Sequence, residues 1–140
     1  MYKRQDTTSA PNADRLVEAR GAQWWADTTG SVPVAAFTIS KLAWVAEHEP
    51  DLLERVEKVM LPHDYLTYRL SGNHVTDRGD ASGSGWFDAV GVRTVTDALT
   101  DATGSDGWDA RVPTVLGPTE AAGAIIPCLL YTSPSPRDRG

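Results

Sequence analysis

The stretch FTISKLAWVAEHEP, residues 37–50, decides the fold of this chain. Its apolar residues recur at the spacing i, i+3, i+4 and i+7, which places them on one face of an α-helix. These residues are Ile39, Leu42, Ala43 and Ala46. Because proline is tolerated only in the first turn of a helix, Pro50 ends this helix near Glu49. The stretch therefore predicts an amphipathic helix that packs one face into a core.

The two prolines that follow predict two further helices. Pro50 opens the first, whose inner face is predicted to consist of Leu52, Val56, Val59 and Met60. Pro62 opens the second, which carries Tyr65, Leu66 and Leu70. Gly72 is expected to end that helix, because glycine accepts the left-handed conformation. Three consecutive helices thus occupy the middle of the sequence.

The sequence on either side predicts shorter elements. Residues 11–26 predict one helix with Pro11 near its start, followed by a break at residues 30–33. Residues 73–76 predict a strand or a turn, with Thr76 as the N-cap of the next segment. Residues 83–87 predict extended chain, and residues 95–103 a helix that Gly104 ends. Beyond Ser105 the pattern weakens.

Composition excludes several classes of function. The chain has 140 residues and a net charge of -6, which argues against partners such as nucleic acid or an anionic membrane surface. Its single cysteine, Cys128, allows neither an intramolecular disulfide nor a cysteine-based metal cluster. No signal peptide or bilayer-spanning run is present. These features favour a cytoplasmic protein that binds small molecules or other proteins.

The two ends of the sequence differ from its middle. Residues 1–5 form a polar, basic leader, and residues 127–140 form a tail rich in serine, proline and arginine without helical or strand periodicity. Both ends resemble translated adapter sequence and are expected to be non-native and without structure; a native flexible tail is the alternative for the C-terminal end. The predicted domain is therefore residues 6–126.

Few residues suggest chemistry by spacing alone. His48, His63 and His74 lack the spacing of a zinc site, so no metal ligand is assigned. The sequence also lacks the glycine-rich loops that bind nucleotide phosphates, and no catalytic residue is assigned. Asp77 and Asp80 would lie on one side of a helix start. Two interpretations remain open for them, namely capping of the helix and a place beside a polar pocket.

Three stretches together resemble the FGGY carbohydrate kinases, a family that includes xylulokinase, glycerol kinase and gluconokinase. They are residues 37–50, LPHDYL at residues 61–66, and TDRGDASGSGWFD at residues 76–88. Residues 6–9 look like the continuation of a Trp-Asn-Asp segment of the family. The resemblance covers residues 6–126 and fits the xylulokinase members best. It implies an α/β fold, as a helix-rich part of an actin-like, ribonuclease-H-like domain.

The resemblance also implies an activity. Relatives transfer the γ-phosphoryl group of ATP, bound with Mg²⁺, to a sugar hydroxyl, here a pentulose. The catalytic aspartate and the ATP-binding domain of the family are expected outside this chain, so the chain alone is expected to be inactive. A homodimer of the full-length protein is left open. The alternatives are a kinase of the same family acting on glycerol, gluconate or ribulose, and a non-catalytic binding or scaffold module.

The resemblance assigns residues to the sugar side of the site. The position of Ala36 lines the sugar pocket and is aromatic in glycerol kinases, so its small side chain here favours a pentulose-sized substrate. Phe37 is expected beside it in the pocket wall. Asp77 and Asp80 match motif positions of the family and are expected as pocket-side structural residues. Gly79 and Ser84 depart from the usual Ser and Thr, which leaves the identity of the sugar open.

Overall fold

The computed structural model describes residues 8–127 and is built mainly from helices. The helices are α1 (Ala10–Arg20), α2 (Ala22–Thr29), α3 (Thr38–His48), α4 (Pro50–Glu54), α5 (Pro62–Ser71), α6 (Arg78–Ser82) and α7 (Thr96–Thr103). The strands are β1 (Val75–Thr76), β2 (Phe87–Asp88), β3 (Arg93–Thr94) and β4 (Thr114–Val115), and Trp108–Ala110 form a 3-10 turn. The expected leader, and Cys128 with the rest of the expected tail, lie outside the described residues. None of the described helices is both long and apolar enough to cross a membrane.

Helix α3 lies at the centre of the core, as the sequence predicts. Its face carries Ile39, which is fully buried, and Ala43, which is 7% exposed. It packs against α1, α4 and α7. The helix ends at His48, so the prediction from the apolar spacing and Pro50 is confirmed. The core joins residues from most elements: Leu16, Trp25, Ile39, Ala43, Leu53, Val59, Trp86, Val95, Ala98, Leu99, Trp108 and Val112.

The single helix expected over residues 11–26 is two helices. Gly21 separates α1 from α2 with φ 85° and ψ 144°, a conformation that side chains disfavour. The break lets α2 fold back along α1, and Trp25 Nε1 donates a hydrogen bond of 2.9 Å to the carbonyl oxygen of Leu16. The prediction of one helix is wrong because Gly21 adopts a positive φ that a continuous helix does not contain.

Helix α4 is shorter than predicted and buries a different residue. It ends at Glu54, and its buried residue is Leu53, at 3% exposed, whereas the predicted inner residue Leu52 is 49% exposed. Val59 is buried but lies beyond the helix, where its N–H donates to the carbonyl of Arg111 at 2.8 Å. Tertiary contacts therefore override the helical period after Glu54.

Helix α5 has its predicted bounds but not a buried apolar face. Gly72 ends it in the left-handed conformation with φ 79°, as expected. Tyr65, Leu66 and Leu70 are each about half exposed. The buried residue is Asp64, at 3% exposed, which accepts a 2.9 Å hydrogen bond from the N–H of Leu61. The helix thus turns a carboxylate inward and leaves its apolar side chains at the surface.

Two small sheets complete the fold of residues 8–127. Strand β1 pairs in parallel with β4, with Val75 opposite Thr114 and Thr76 opposite Val115. Strands β2 and β3 form an antiparallel hairpin. Because β1 and β4 are parallel, the loops that follow them emerge at the same edge. This edge positions the cleft described below.

The turn of the β2–β3 hairpin gives a prediction on pH. Asp88 accepts hydrogen bonds from the N–H groups of Gly91 and Val90 and lies near Arg93. The Gly91 bond, with help from the others, lowers the pKa of Asp88 below its usual 3.8. A lowered pKa stabilises the fold above that usual value, and the contribution is lost as the pH falls through the folded-state pKa.

We therefore expect Asp88→Asn to destabilise the chain at neutral pH, and the difference from the unsubstituted chain to shrink in acid below 3.8. Urea unfolding across a pH series measures it. Asp14→Asn on the exposed side of α1 corrects for the loss of one negative charge. A difference that stays constant with pH would contradict the expectation.

Candidate functional site

A cleft of about 370 Å³ lies at the carboxyl ends of the parallel strands β1 and β4. Ligands of α/β proteins bind preferentially at such strand ends. Three groups of residues line it, from the start of α5, from the end of β1 with the start of α6, and from the chain after β4. They are His63, Asp64, Thr67, Val75, Thr76, Asp77, Arg78, Gly79, Leu116, Gly117, Pro118, Glu120 and Ala122.

Asp77 both caps α6 and lines this cleft. Its Oδ1 accepts a 2.7 Å hydrogen bond from the N–H of Asp80, which is the usual N-cap contact. The expected cap, Thr76, is instead the last residue of β1. The two interpretations of Asp77 therefore do not exclude each other, because one carboxylate oxygen caps the helix while the residue borders the cleft.

His63 joins the two aspartates in a small polar cluster. Its Nδ1 lies 3.3 Å from Asp80 Oδ2 and 4.0 Å from Asp77 Oδ2. Sequence spacing gave no sign of this cluster, because its members come from different elements. Contact between β1 and α5 would have indicated the cluster, because it brings the start of α6 close to His63. The side chains of His63 and Asp77 are 73% and 59% exposed, so solvent screens their attraction.

The cluster does not fit a resident Mg²⁺ well. Its three potential ligand atoms lie within 4.8 Å of one another. Mg²⁺ in proteins prefers oxygen ligands, whereas one of the three donors here is an imidazole nitrogen. Exposed acidic groups also commonly occur beside a histidine without a bound metal. We assign neither Mg²⁺ nor ATP phosphate to these residues.

Ala36 and Phe37 lie elsewhere, in the turn before α3. Ala36 is exposed, and Phe37 is half-buried and directly precedes the helix. The N–H of Phe37 donates to the carbonyl of Val34 at 3.0 Å, which closes the turn. Neither residue lines the cleft at the strand ends. The structure thus separates the predicted site residues into two places.

The start of α3 contacts the loop after α6. This contact joins two of the sequence motifs. The N–H of Ile39 donates to the carbonyl of Ser84 at 2.9 Å. A β-carbon built on Gly85 would lie 3.4 Å from Phe37 Cδ2 and 3.1 Å from Ile39 Cβ, and closer still to Ile39 Cγ2. Only glycine leaves room for this approach. Sequence reasoning gave no role to Gly85, although a glycine beside two aromatic residues could have suggested a close contact.

Comparison with known proteins agrees with this architecture. Residues 3–131 match the FGGY family of carbohydrate kinases, N-terminal domain. Over 121 residues, covering 86% of this chain and 24% of the relative, the sequence is 49% identical to the xylulose kinase of Streptomyces rubiginosus. Over 112 residues, covering 80% of this chain and 22% of the relative, it is 37% identical to that of Escherichia coli. The chain thus spans about a quarter of the length of these curated relatives.

Solved structures show the same fold. A crystal structure of xylulose kinase from Bifidobacterium adolescentis superposes with a TM-score of 0.79 at 34% identity, covering 88% of this chain and 32% of that one. The expected α/β fold, a helix-rich part of an actin-like domain, is confirmed. Helix α3, the start of α5, and α6 with the loop after it carry the three stretches that suggested the resemblance. The chain belongs to the FGGY family of carbohydrate kinases, and its match lies in the N-terminal domain of that family.

Proposed function

We propose that this chain is part of an ATP-dependent kinase that transfers the γ-phosphoryl group to a hydroxyl of a pentulose, with xylulose as the substrate. The observation that carries the proposal is the 49% identity to a xylulose kinase over 86% of the chain. ATP and Mg²⁺ are the cofactors of the full-length enzyme, and the sugar is its partner molecule. We place the enzyme in the cytoplasm, where ATP is supplied.

Within that enzyme, this domain holds the sugar. The proposed wall is Ala36 and Phe37, an exposed residue with a small side chain followed by a half-buried aromatic residue. An apolar surface suits the C–H face of a sugar, while its hydroxyls need polar partners. Asp77 and Asp80 keep a structural role, because one caps α6 and the other contacts His63. Phosphoryl transfer depends chiefly on positioning and charge stabilisation, and this domain would contribute the positioning of the sugar.

A chimera tests the proposal. Residues 8–127 of this chain would replace the aligned segment of the Streptomyces rubiginosus xylulose kinase, and ADP release would be measured with xylulose, ribulose, glycerol and gluconate. We expect the highest kcat/KM with xylulose. The isolated 140-residue chain, which spans about a quarter of its relatives, serves as the negative control and is expected to release no ADP.

Two outcomes would overturn the proposal. A folded chimera that prefers glycerol, gluconate or ribulose would indicate another kinase of the same family. A folded chimera that binds ATP but phosphorylates none of the four compounds would indicate a non-catalytic binding or scaffold module. Circular dichroism and thermal melting establish folding before either conclusion is drawn.

Enlarging Ala36 gives the sharper prediction. In the chimera, Ala36→Phe is expected to place a bulky ring on the sugar side and to reduce kcat/KM for xylulose by about 10-fold to 200-fold, the range typical of misfit in a pocket. The KM for ATP should stay within about 2-fold, because the substitution acts on the sugar side. Ala26→Phe, at an exposed position on α2, is the matched control. Equal reductions of kcat/KM in Ala36→Phe and Ala26→Phe would contradict a place for Ala36 in the sugar pocket.

A further inference from the structure

The turn that carries Ala36 is held only in part by burial of its own side chains, because Phe37 packs against the core whereas other residues of the turn are exposed. Val34 is 51% exposed, and Ala36 is also exposed. Within the turn, one backbone hydrogen bond joins the Phe37 N–H to the Val34 carbonyl at 3.0 Å. Because fixing each backbone residue costs conformational entropy, the exposed part of the turn needs further contacts to keep one conformation.

Ser40 supplies one of these contacts from within α3. Its side chain is fully buried, and its Oγ donates a 2.9 Å hydrogen bond to the Val34 carbonyl. Serine is a weak helix former, and inside helices its hydroxyl usually bonds the carbonyl of its own preceding turn. Here the hydroxyl instead reaches six residues back, outside the helix. Ser40 therefore ties the turn to the central helix of the core.

Ser9 supplies the second contact from the segment before α1. It is 2% exposed, and its Oγ donates a 2.9 Å hydrogen bond to the carbonyl of Ala35, which is 26 residues away in sequence. The two hydroxyls thus bind two consecutive carbonyls, those of Val34 and Ala35. Ala36 follows directly.

We propose that Ser9 and Ser40 are positioning residues that set the place of Ala36 and Phe37 through the carbonyls of Val34 and Ala35. The inference rests on the proposed function only for its effect on sugar binding. Its structural part concerns the order of the turn and holds for any substrate. Neither serine is assigned a contact with the substrate, so loss of either hydroxyl should alter sugar affinity more than the chemical step.

Hydrogen exchange on the whole 140-residue chain tests the structural part. In Ser40→Ala and Ser9→Ala, we expect the Phe37 amide to exchange about 3-fold to 10-fold faster, because each variant removes one hydrogen bond that holds a carbonyl of the turn. Ser71→Ala is the matched control, since its hydroxyl also bonds a backbone carbonyl, that of Thr67 at 2.7 Å, but on α5. Unchanged exchange at Phe37 in both variants would overturn the proposal.

Kinetics of the chimera test the functional part. The KM for xylulose is expected to rise about 3-fold to 10-fold in each variant, while kcat and the KM for ATP change by less than about 2-fold. Ser9→Thr keeps the hydroxyl and should restore much of the sugar affinity. If exchange at Phe37 accelerates but the KM for every sugar stays unchanged, the serines order the turn without positioning a sugar wall, which overturns the proposal. A shift in KM for a sugar other than xylulose would support the positioning role of the two serines and contradict xylulose as the substrate.

Discussion

Replacing Gly85 with alanine is expected to destabilise the chain by about 2–5 kcal/mol. Gly85 has φ +97°, a conformation that L-residues rarely adopt. The added β-carbon would also lie 3.1 Å from Ile39 Cβ and press on Ile39 Cγ2. Ile39 is fully buried in the central helix and cannot move aside without disturbing the core. Urea unfolding of the chain, followed by tryptophan fluorescence, gives the free energy of unfolding.

The chain offers a control that separates the two causes. Gly30 has φ +79°, and a β-carbon added there would meet no atom within 4 Å, so Gly30→Ala carries the backbone penalty without the steric one. Gly85→Ala should therefore cost clearly more than Gly30→Ala. Ile39→Ala removes the Cγ2 atom that the new β-carbon would meet. The double variant Gly85→Ala with Ile39→Ala should therefore lose less free energy of unfolding than the sum of the two single losses. Equal costs at the two glycines would show that the loop moves away from α3 freely.

Replacing Trp25 with alanine is expected to cost about 3–5 kcal/mol. The side chain is fully buried, joins α2 to α1, and lies edge-on to the Trp24 ring at a centroid distance of 4.9 Å. Truncation would leave a large cavity and would also remove the Nε1 hydrogen bond to the Leu16 carbonyl. Chemical unfolding monitored by circular dichroism measures the loss, because fluorescence itself changes with the substitution.

Two further variants divide that cost. Trp25→Phe keeps much of the buried ring but removes the indole N–H that donates to the Leu16 carbonyl, so it should cost less than Trp25→Ala, about 1–3 kcal/mol. Trp24→Ala removes a partly exposed ring whose main polar contact is Arg20, 4.5 Å from the ring centre, and it should cost less than Trp25→Ala. A Trp24 variant as damaging as the Trp25 variant would contradict the central place of Trp25.

The predictions from sequence succeeded where local signals were strong. Helix α3 combines a clear apolar period with a proline directly after it, and both its ends were predicted within a residue or two. The ends of α5 and α7 were likewise determined by glycines that take positive φ. Local chemistry at helix ends is encoded within a few residues, so it can be read from the sequence.

The candidate site was harder to predict, because it depends on contacts between distant residues. Strand β4 is two residues long and too short to show alternation, so the cleft beside it could not be foreseen. The exposure of Leu66 and Leu70 also required the structure, since periodicity locates apolar residues but not the surface that covers them. The resemblance named Ala36 and Phe37, whereas the contacts of their turn with Ser9 and Gly85 required the structure.

The parallel pairing of β1 with β4 also affects the order of folding. The partners Val75 and Thr114 are separated by roughly 40 residues, and closing so long a loop is entropically costly and slow compared with forming the helices between neighbouring prolines. The bonds from Thr114 N–H to the His74 carbonyl and from Leu116 N–H to the Thr76 carbonyl should therefore form late. Pulse-labelling hydrogen exchange during refolding would detect this as delayed protection of Leu116 relative to Ala43. In a growing polypeptide, the cleft would accordingly become available to a ligand only after the helices that precede β4 have formed.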